Sequence, residues 1–315
     1  MSFIVDTELA PVTTNGTDLY LYYQDSSRHI VETYSSDGEN WQQSSQPVAI
    51  NARADTASPI AAYYVEQDAN FSGKSTIHVF YLDVDQKLAE KVKDLGDLSW
   101  QDGNVPSYIA TLPVKTTHLA AGALNKASGL GPNGSQFGYF HQPYPNTLQI
   151  TEVRRTPGDP LYVDGVLPEA SGEPLPESAL VAMVFESGID LFVQDTSQNI
   201  VLYANRLNTW NDRVVVIPGE NVRDKTPMAG VRDEKEHLLI VDKSNQIQHY
   251  ADEKFVDTVE GYLSTTRLGA VLQGNNIVLF YVTRKLGGSI RTKIYQDGAW
   301  KDGVQVVSKS RSKAM

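Results

Sequence analysis

Cysteine is absent from the chain, which excludes disulfides, thiol nucleophiles and cysteine-ligated metals. Long apolar runs are missing too. No stretch approaches the roughly 20 residues that a membrane-spanning helix needs, and the opening "MSFIVDTELA" has neither the basic nor the apolar region of an export signal, so a cytoplasmic protein is expected. Positive charge is in deficit, with 27 Lys and Arg against 38 Asp and Glu, a net charge of -11 and a sequence pI near 5.0. That balance argues against nucleic acid or an anionic membrane as a partner. The one basic run, "SKSRSKAM" from Ser308, reads as a solvated terminus. Catalytic signatures are equally scarce: there is no G-x-S-x-G elbow, P-loop, H-E-x-x-H or dinucleotide fingerprint. The histidines at 29, 78, 118, 141, 237 and 249 have no metal-ligand spacing, and Asp83-Val84-Asp85 lacks the Gly and distal Glu of a calcium loop. No cofactor and no metal are expected.

What the chain does have is a repeat. The pattern Ser/Thr, any residue, Leu/Ile/Met, then two compact residues occurs six times, as Thr7-Glu8-Leu9-Ala10-Pro11, Ser58-Pro59-Ile60-Ala61-Ala62, Thr117-His118-Leu119-Ala120-Ala121, Ser178-Ala179-Leu180-Val181-Ala182, Thr226-Pro227-Met228-Ala229-Gly230 and Thr266-Arg267-Leu268-Gly269-Ala270. The Leu/Ile/Met positions are 51, 59, 61, 48 and 40 residues apart, close to the range of structural repeats. Each copy is followed by an aromatic-rich run (LYLYYQ, IHVFYL, QFGYFH, IDLFVQ, HLLIVD, IVLFYV), a polar turn, and a third run. In four of the six copies a tryptophan comes next: Trp41, Trp100, Trp210 and Trp300.

Runs of about six residues rich in β-branched and aromatic side chains, divided by Asp, Ser, Asn, Pro and Gly, read as strands and turns. Six such units predict an all-β fold, a six-bladed β-propeller with three to four antiparallel strands per blade. It is expected as one domain over 1–315, with inner strands near 7–13, 58–64, 117–123, 178–184, 226–232 and 266–272. Ala and Gly recur where the innermost strands converge, and the tryptophans read as packing between blades. The insertions "NKASGLGPNGSQ" and "RRTPGDPLYVDGVLPEASGEPLPES" make the third unit irregular and read as lids or disordered loops.

"SPIAAYY" followed by "IHVFYLDVDQKLAEKV", and "LYLYYQDSSRHIVETYSSDGENW" in the first unit, resemble the blades of fungal fucose-specific lectins, from about Thr7 to Trp300. In that family an Arg opens the second strand of a blade and a Glu on the third completes the grip on the sugar. Aligned by eye, the Arg position holds Tyr20, His78, Phe137, Asp190, Leu238 and Val278, and the Glu position holds Glu32, Glu90, Ile150, Leu202, His249 and Thr292. No guanidinium remains at its place, which implies that fucose binding of that kind is lost. Enzymes related to this lectin-like propeller include fungal hetero-Diels-Alderases of tropolonic sesquiterpenoid biosynthesis. That resemblance implies a cofactor-independent cyclase joining a tropolone-derived quinone methide to a humulene-type terpene.

Such a reaction needs an apolar site that holds two molecules in register, donors that polarise an oxygen, and a mild acid–base pair. Alternation along the inner strands assigns Glu8, His118 and Arg267 to one face, taken to look toward the axis. Candidate catalytic residues are therefore His118, Arg267, Arg53 and Glu8, with Tyr63, Lys115, Met183 and Arg223 as substrate contacts. The plainer reading makes Glu8 and Arg267 a closing ion pair between the first and last units. A carbohydrate binder of altered specificity, stacking sugars on Tyr20, Tyr22 or Tyr34, and a protein-interaction propeller are the alternatives. Small apolar substrates are the expected partners, and the sequence leaves open whether a homodimer forms.

Overall fold

The structure, a computed structural model, describes residues 3–4, 6–97, 99–144, 147–167, 173–211, 213–259, 267–283 and 288–308. The basic tail from 309, the middle of the second insertion at 168–172, and Thr266 lie outside the described residues. The chain divides into two compact units, Pro59–Thr226 and the pair of segments Met1–Ser58 and Pro227–Met315.

Each unit holds three antiparallel sheets, numbered here 1 to 6 in chain order. Sheets 1, 5 and 6 belong to the first unit and sheets 2, 3 and 4 to the second. The first strands are Ala10–Thr14, Ile60–Asp68, Leu119–Ala123, Leu180–Phe185, Met228–Arg232 and Leu268–Gln273. In every sheet the chain then meanders outward through a second and a third strand to a fourth, and sheet 4 adds Val214–Ile217. The all-β class and six sheets match the expectation from the repeat. Among the described residues, helix is confined to Ala69–Phe71 and Ser107–Ala110. None is long and apolar enough to cross a membrane.

The strands begin two or three residues after the repeat does, because its Ser/Thr is a cap. The Thr7 hydroxyl accepts from the backbone N–H of Gln24 at 2.6 Å, and Thr117 does the same for His141 at 2.8 Å. Gln24 and Gln194 are twin clamps in sheets 1 and 4. The Gln24 amide donates to the carbonyls of Arg28 and Arg53, and its oxygen accepts from Ser58 N–H at 2.9 Å. The Gln194 amide donates to Gln198 and Arg223, and its oxygen accepts from Thr226 N–H at 3.0 Å.

The second-to-third turns share one chemistry. Asp25, Asp83, Asp195 and Asp242 each accept from a backbone N–H four residues on, at 2.8–2.9 Å. The residue before that donor is left-handed: Arg28, Gln86, Gln198 and Asn245. Asp83 is thus a turn cap, and no metal-ligating cluster occurs among the described residues.

Small residues of the repeat stand where neighbouring first strands nearly touch. A Cβ on Gly269 would lie 2.6 Å from the Leu9 carbonyl oxygen, and one on Gly122 2.6 Å from Val184 Cγ2. The face expected to line an axis is instead packed against the next sheet. Tyr63 lies with Phe140 and Val153 of sheet 3, Ala120 with Leu180 and Val193 of sheet 4, and Ala229 with Leu268 and Leu279 of sheet 6. The opposite faces are covered too, Ala121 and Ala123 joining the cluster of Tyr63. Stacked sheets bury both faces of a strand, so alternation here separates one neighbour from the other. The tryptophans take part in this stacking: Trp41 meets Phe280 edge-on at 5.6 Å and Trp210 meets Tyr139 at 6.0 Å.

The insertion after Leu119–Ala123 is a folded loop. Asn125 accepts from Glu66 N–H at 2.8 Å, and Asn133 reaches Gln67. Gln24 is fully buried, so Gln24→Leu should strip three backbone groups of their partners. The expected loss of unfolding free energy is about 2–4 kcal/mol. Chemical denaturation checks this, with the exposed Gln101→Leu expected within about 0.5 kcal/mol of the parent.

Candidate functional site

Strand register fixes which residues are equivalent across the six sheets. The compact residues Ala10, Ala61, Ala120, Val181, Ala229 and Gly269 pair with Tyr22, Phe80, Tyr139, Phe192, Leu239 and Phe280 of the second strands. Those pair in turn with Glu32, Glu90, Glu152, Leu202, His249 and Thr292 of the third. Two residues earlier on the second strands stand Tyr20, His78, Phe137, Asp190, His237 and Val278. This corrects the alignment by eye twice. Sheet 3 places Glu152, not Ile150, at the carboxylate position, and sheet 5 places His237, not Leu238, at the arginine position.

In sheet 2 the two positions meet inside a sealed network. His78 gives Nδ1 to Glu90 and Nε2 to Asp68, both at 2.8 Å, and is fully buried. Both ring nitrogens face carboxylates, so the ring is an imidazolium donating twice. Arg155, from the end of the third strand of sheet 3, grips Glu90 through two bonds of 3.1 and 2.9 Å. Gln136 accepts from Arg155 and from Tyr63, and Tyr63 stacks on His78 at 4.9 Å. Two cations face two carboxylates with no charge left over, the condition under which buried ions persist. Burial by itself would raise the Glu90 carboxyl, but the His78 bond and the Arg155 charge outweigh it and hold it at about 2. Asp68 is lowered against its burial, chiefly by His78. His78 is raised against its burial by the two carboxylates.

Sheet 3 holds a carboxylate–guanidinium pair within one strand. Glu152 holds Arg154, two residues on and on the same face, at 3.1 Å, and accepts from the Tyr139 hydroxyl at 2.6 Å. The Arg154 guanidinium lies 5.0 Å from the centre of the Phe137 ring, which stands at the position of Tyr20 and His78 in sheets 1 and 2. Asn208 of sheet 4 accepts from Arg154 at 2.9 Å, and Trp210 stands against Tyr139. The Arg154 side chain keeps 9% of its surface exposed, against 2% for Glu152.

The other sheets diverge. Sheet 4 inverts the charges, with Asp190 in the arginine position and Arg206 bound to it at 2.6 Å. Sheet 5 holds a histidine pair, His237 Nδ1 to His249 Nε2 at 2.9 Å, and burial followed by the neighbouring His237 lowers His249 to about 4. In sheet 1 Glu32 is satisfied by the hydroxyls of Tyr22 and Ser44, and in sheet 6 Val278 and Thr292 carry no charge.

The candidates read from the sequence are scattered over these surroundings. Arg267 and Glu8 form an ion pair at 2.8 Å, with 26% and 15% of their side chains exposed. Arg53 is buried on Asp55 at 2.6 Å, and its carbonyl is the one held by Gln24. His118 is buried at the start of sheet 3, Met183 is buried opposite Asp190, and Lys115 is exposed. Arg223 is half-buried with its carbonyl on Gln194, and Tyr63 belongs to the sealed network. Tyr22 is fully buried and offers no stacking face, while Tyr20 stacks on Tyr34 at 6.1 Å. Glu152, Arg154, Arg155 and Arg206 were not among the sequence candidates; the Glu-Val-Arg order at 152–154, which puts acid and base on one strand face, was the available signal.

No protein-family model and no curated protein matches the chain. Solved structures do. A mutant of Aleuria aurantia lectin in complex with Fucalpha1-6GlcNAc superposes with a TM-score of 0.79 at 16% identity, covering 99% of each chain. A triple arginine-to-alanine mutant of AofleA from Arthrobotrys oligospora gives 0.80 at 14%, covering 98% of this chain and 89% of that one. The Aleuria aurantia lectin structure described as a six-bladed β-propeller with a novel fucose recognition mode gives 0.74 at 16%, again over 99% of each chain. At these identities the likeness establishes the fold, a six-bladed β-propeller.

The sealed network sets a pH dependence. His78, raised, contributes stability that is complete below about 6.5 and is lost as pH rises through its higher folded value. Glu90 and Asp68, lowered, contribute stability that is complete above about 4.5 and is lost as pH falls toward 2. The contribution of the network is therefore greatest between about pH 4.5 and 6.5. Glu90→Gln should destabilise by about 3–5 kcal/mol and flatten the acid limb of a melting-temperature profile against pH.

Proposed function

We propose that the protein is a ligand-binding propeller of the carbohydrate-binding type, with specificity moved to one site in sheet 3. The observation that carries this reading is the Glu152–Arg154 pair at 3.1 Å. It presents a carboxylate and a guanidinium beside aromatic rings, the combination that holds hydroxyl groups through charge-assisted bonds. The Aleuria aurantia lectin mutant that the chain resembles in fold is solved in complex with Fucalpha1-6GlcNAc and with alpha-methyl-L-fucoside, and Arg154 supplies from the third strand the guanidinium that fucose-specific lectins draw from the second. In sheet 2 the equivalent place is closed by Asp68, His78 and Glu90 together with Arg155 of sheet 3. Isothermal titration with methyl α-L-fucoside and a panel of monosaccharides tests the reading. Binding is expected in the parent, with Arg154→Met and Glu152→Gln each weakening it by roughly tenfold or more. Equal affinity in all three proteins, or no binding of any sugar at millimolar concentration, would overturn it.

A second reading, the cofactor-independent hetero-Diels-Alder cyclase, is favoured by Arg267. Glu8 holds this guanidinium in place while a quarter of its side chain stays open, which suits a donor to a heterodiene oxygen. Incubation with a tropolone-type alcohol and a humulene-type alkene should then yield adduct above the background of boiled protein. Arg267→Met should remove that excess while leaving the thermal melt in place.

A further inference from the structure

The hairpin between Ile200–Arg206 and Thr209–Trp210 turns on two left-handed residues, Leu207 at φ 54° and Asn208 at φ 61°. Asparagine tolerates that region; leucine rarely enters it. Leu207 is also 76% exposed, so burial of its side chain is not what keeps the turn in this shape. The turn is held from sheet 3. Asn208 Oδ1 accepts from Arg154 Nη1 at 2.9 Å, and Asn208 Nδ2 donates to the Gly129 carbonyl at 3.0 Å. The Leu207 side chain lies against Gly129, its Cδ2 2.5 Å from where a Cβ there would stand. One carboxamide thus sits against the guanidinium beside the Glu152–Arg154 pair.

Resting on the reading of that pair as a ligand site, we propose that Asn208 is its specificity-determining residue, a surrogate that the ligand must replace. A carboxamide offers an acceptor and a donor on neighbouring atoms. A vicinal diol offers the same two functions: one oxygen accepts from Arg154, and the adjacent hydroxyl donates to the Gly129 carbonyl. A lone hydroxyl replaces only one of the two bonds. The site is accordingly selective for compounds bearing vicinal hydroxyls, and Asn208 sets the threshold that they must exceed.

Asn208→Gly tests this directly, since glycine adopts φ 61° freely and removes the carboxamide. Isothermal titration compares methyl α-L-fucoside, which carries vicinal hydroxyls, with cyclohexanol, which has one. The variant is expected to bind the fucoside roughly tenfold more tightly than the parent and to discriminate less against cyclohexanol. If the parent binds the fucoside and Arg154→Met abolishes it, but Asn208→Gly leaves affinity unchanged or weaker, the inference is overturned and the site stands. If neither the parent nor Asn208→Gly binds the fucoside, the site itself is overturned and the inference with it. Should Asn208→Gly fail to fold, Asn208→Asp, which tolerates the left-handed turn and sets a carboxylate against Arg154 where the carboxamide stood, is expected to bind the fucoside more weakly than the parent, and unchanged or tighter binding overturns the inference.

Discussion

The approach of neighbouring first strands to within contact of bare backbone is the constraint on which the rest of the structure depends. At Gly269 the Leu9 carbonyl and the Pro11 ring occupy the space a side chain would take. Stacking this tight covers both faces of sheets 3 and 6, so a side chain on their first or second strand has little access to water. Any charge there must find its counter-charge inside the protein or remain near a strand end where solvent still reaches it. Second strands such as Gly188–Gln194 and Glu236–Val241, buried at every position with their few polar side chains paired, follow from the same geometry.

The charged groups sort along that division. In sheet 2 an imidazolium, a guanidinium and two carboxylates neutralise one another out of reach of water, and nothing of that set is left over for a ligand. In sheets 3 and 4 the arginine comes from the third strand, at or near its end, Arg154 buried and Arg206 with 38% of its side chain exposed. A cation on the third strand can serve the same place as a residue of the second because antiparallel pairing brings the two strands side by side. The chemistry at equivalent places therefore ranges from a closed ion cluster to a buried pair, a pair with a partly exposed arginine, a histidine pair and an uncharged place, on one backbone plan.

Much of this architecture was legible in the sequence, because its signals are local. Alternation and the Asp-capped turns marked the strands, and the compact pair after Leu/Ile/Met marked the close contacts. The first strands then start at Ala10, Ile60 and Leu119, near the spans expected for them. The offset has a cause the pattern did not show: Thr7 and Thr117 cap the second strand and stand outside the first. The site was less legible. Arg155 and Glu90 are 65 residues apart, and no local pattern links them. Equivalence by eye slipped at Glu152 because the second and third strands of sheet 3 run to nine residues each, longer than those of sheet 1. The direction of the alternating faces was assigned to an axis, whereas Tyr63 and Ala120 show it pointing into neighbouring sheets.

The two glutamine clamps make the entry to a strand indifferent to sequence. Ser58-Pro59 and Thr226-Pro227 share one grammar, a hydroxyl residue whose N–H is taken by a buried glutamine, then a proline that has no N–H to offer. The same glutamines also hold the carbonyls of Arg53 and Arg223, a few residues upstream. The clamps recognise main-chain atoms, so substitutions in the two loops between these points leave the backbone path into the following strand unchanged.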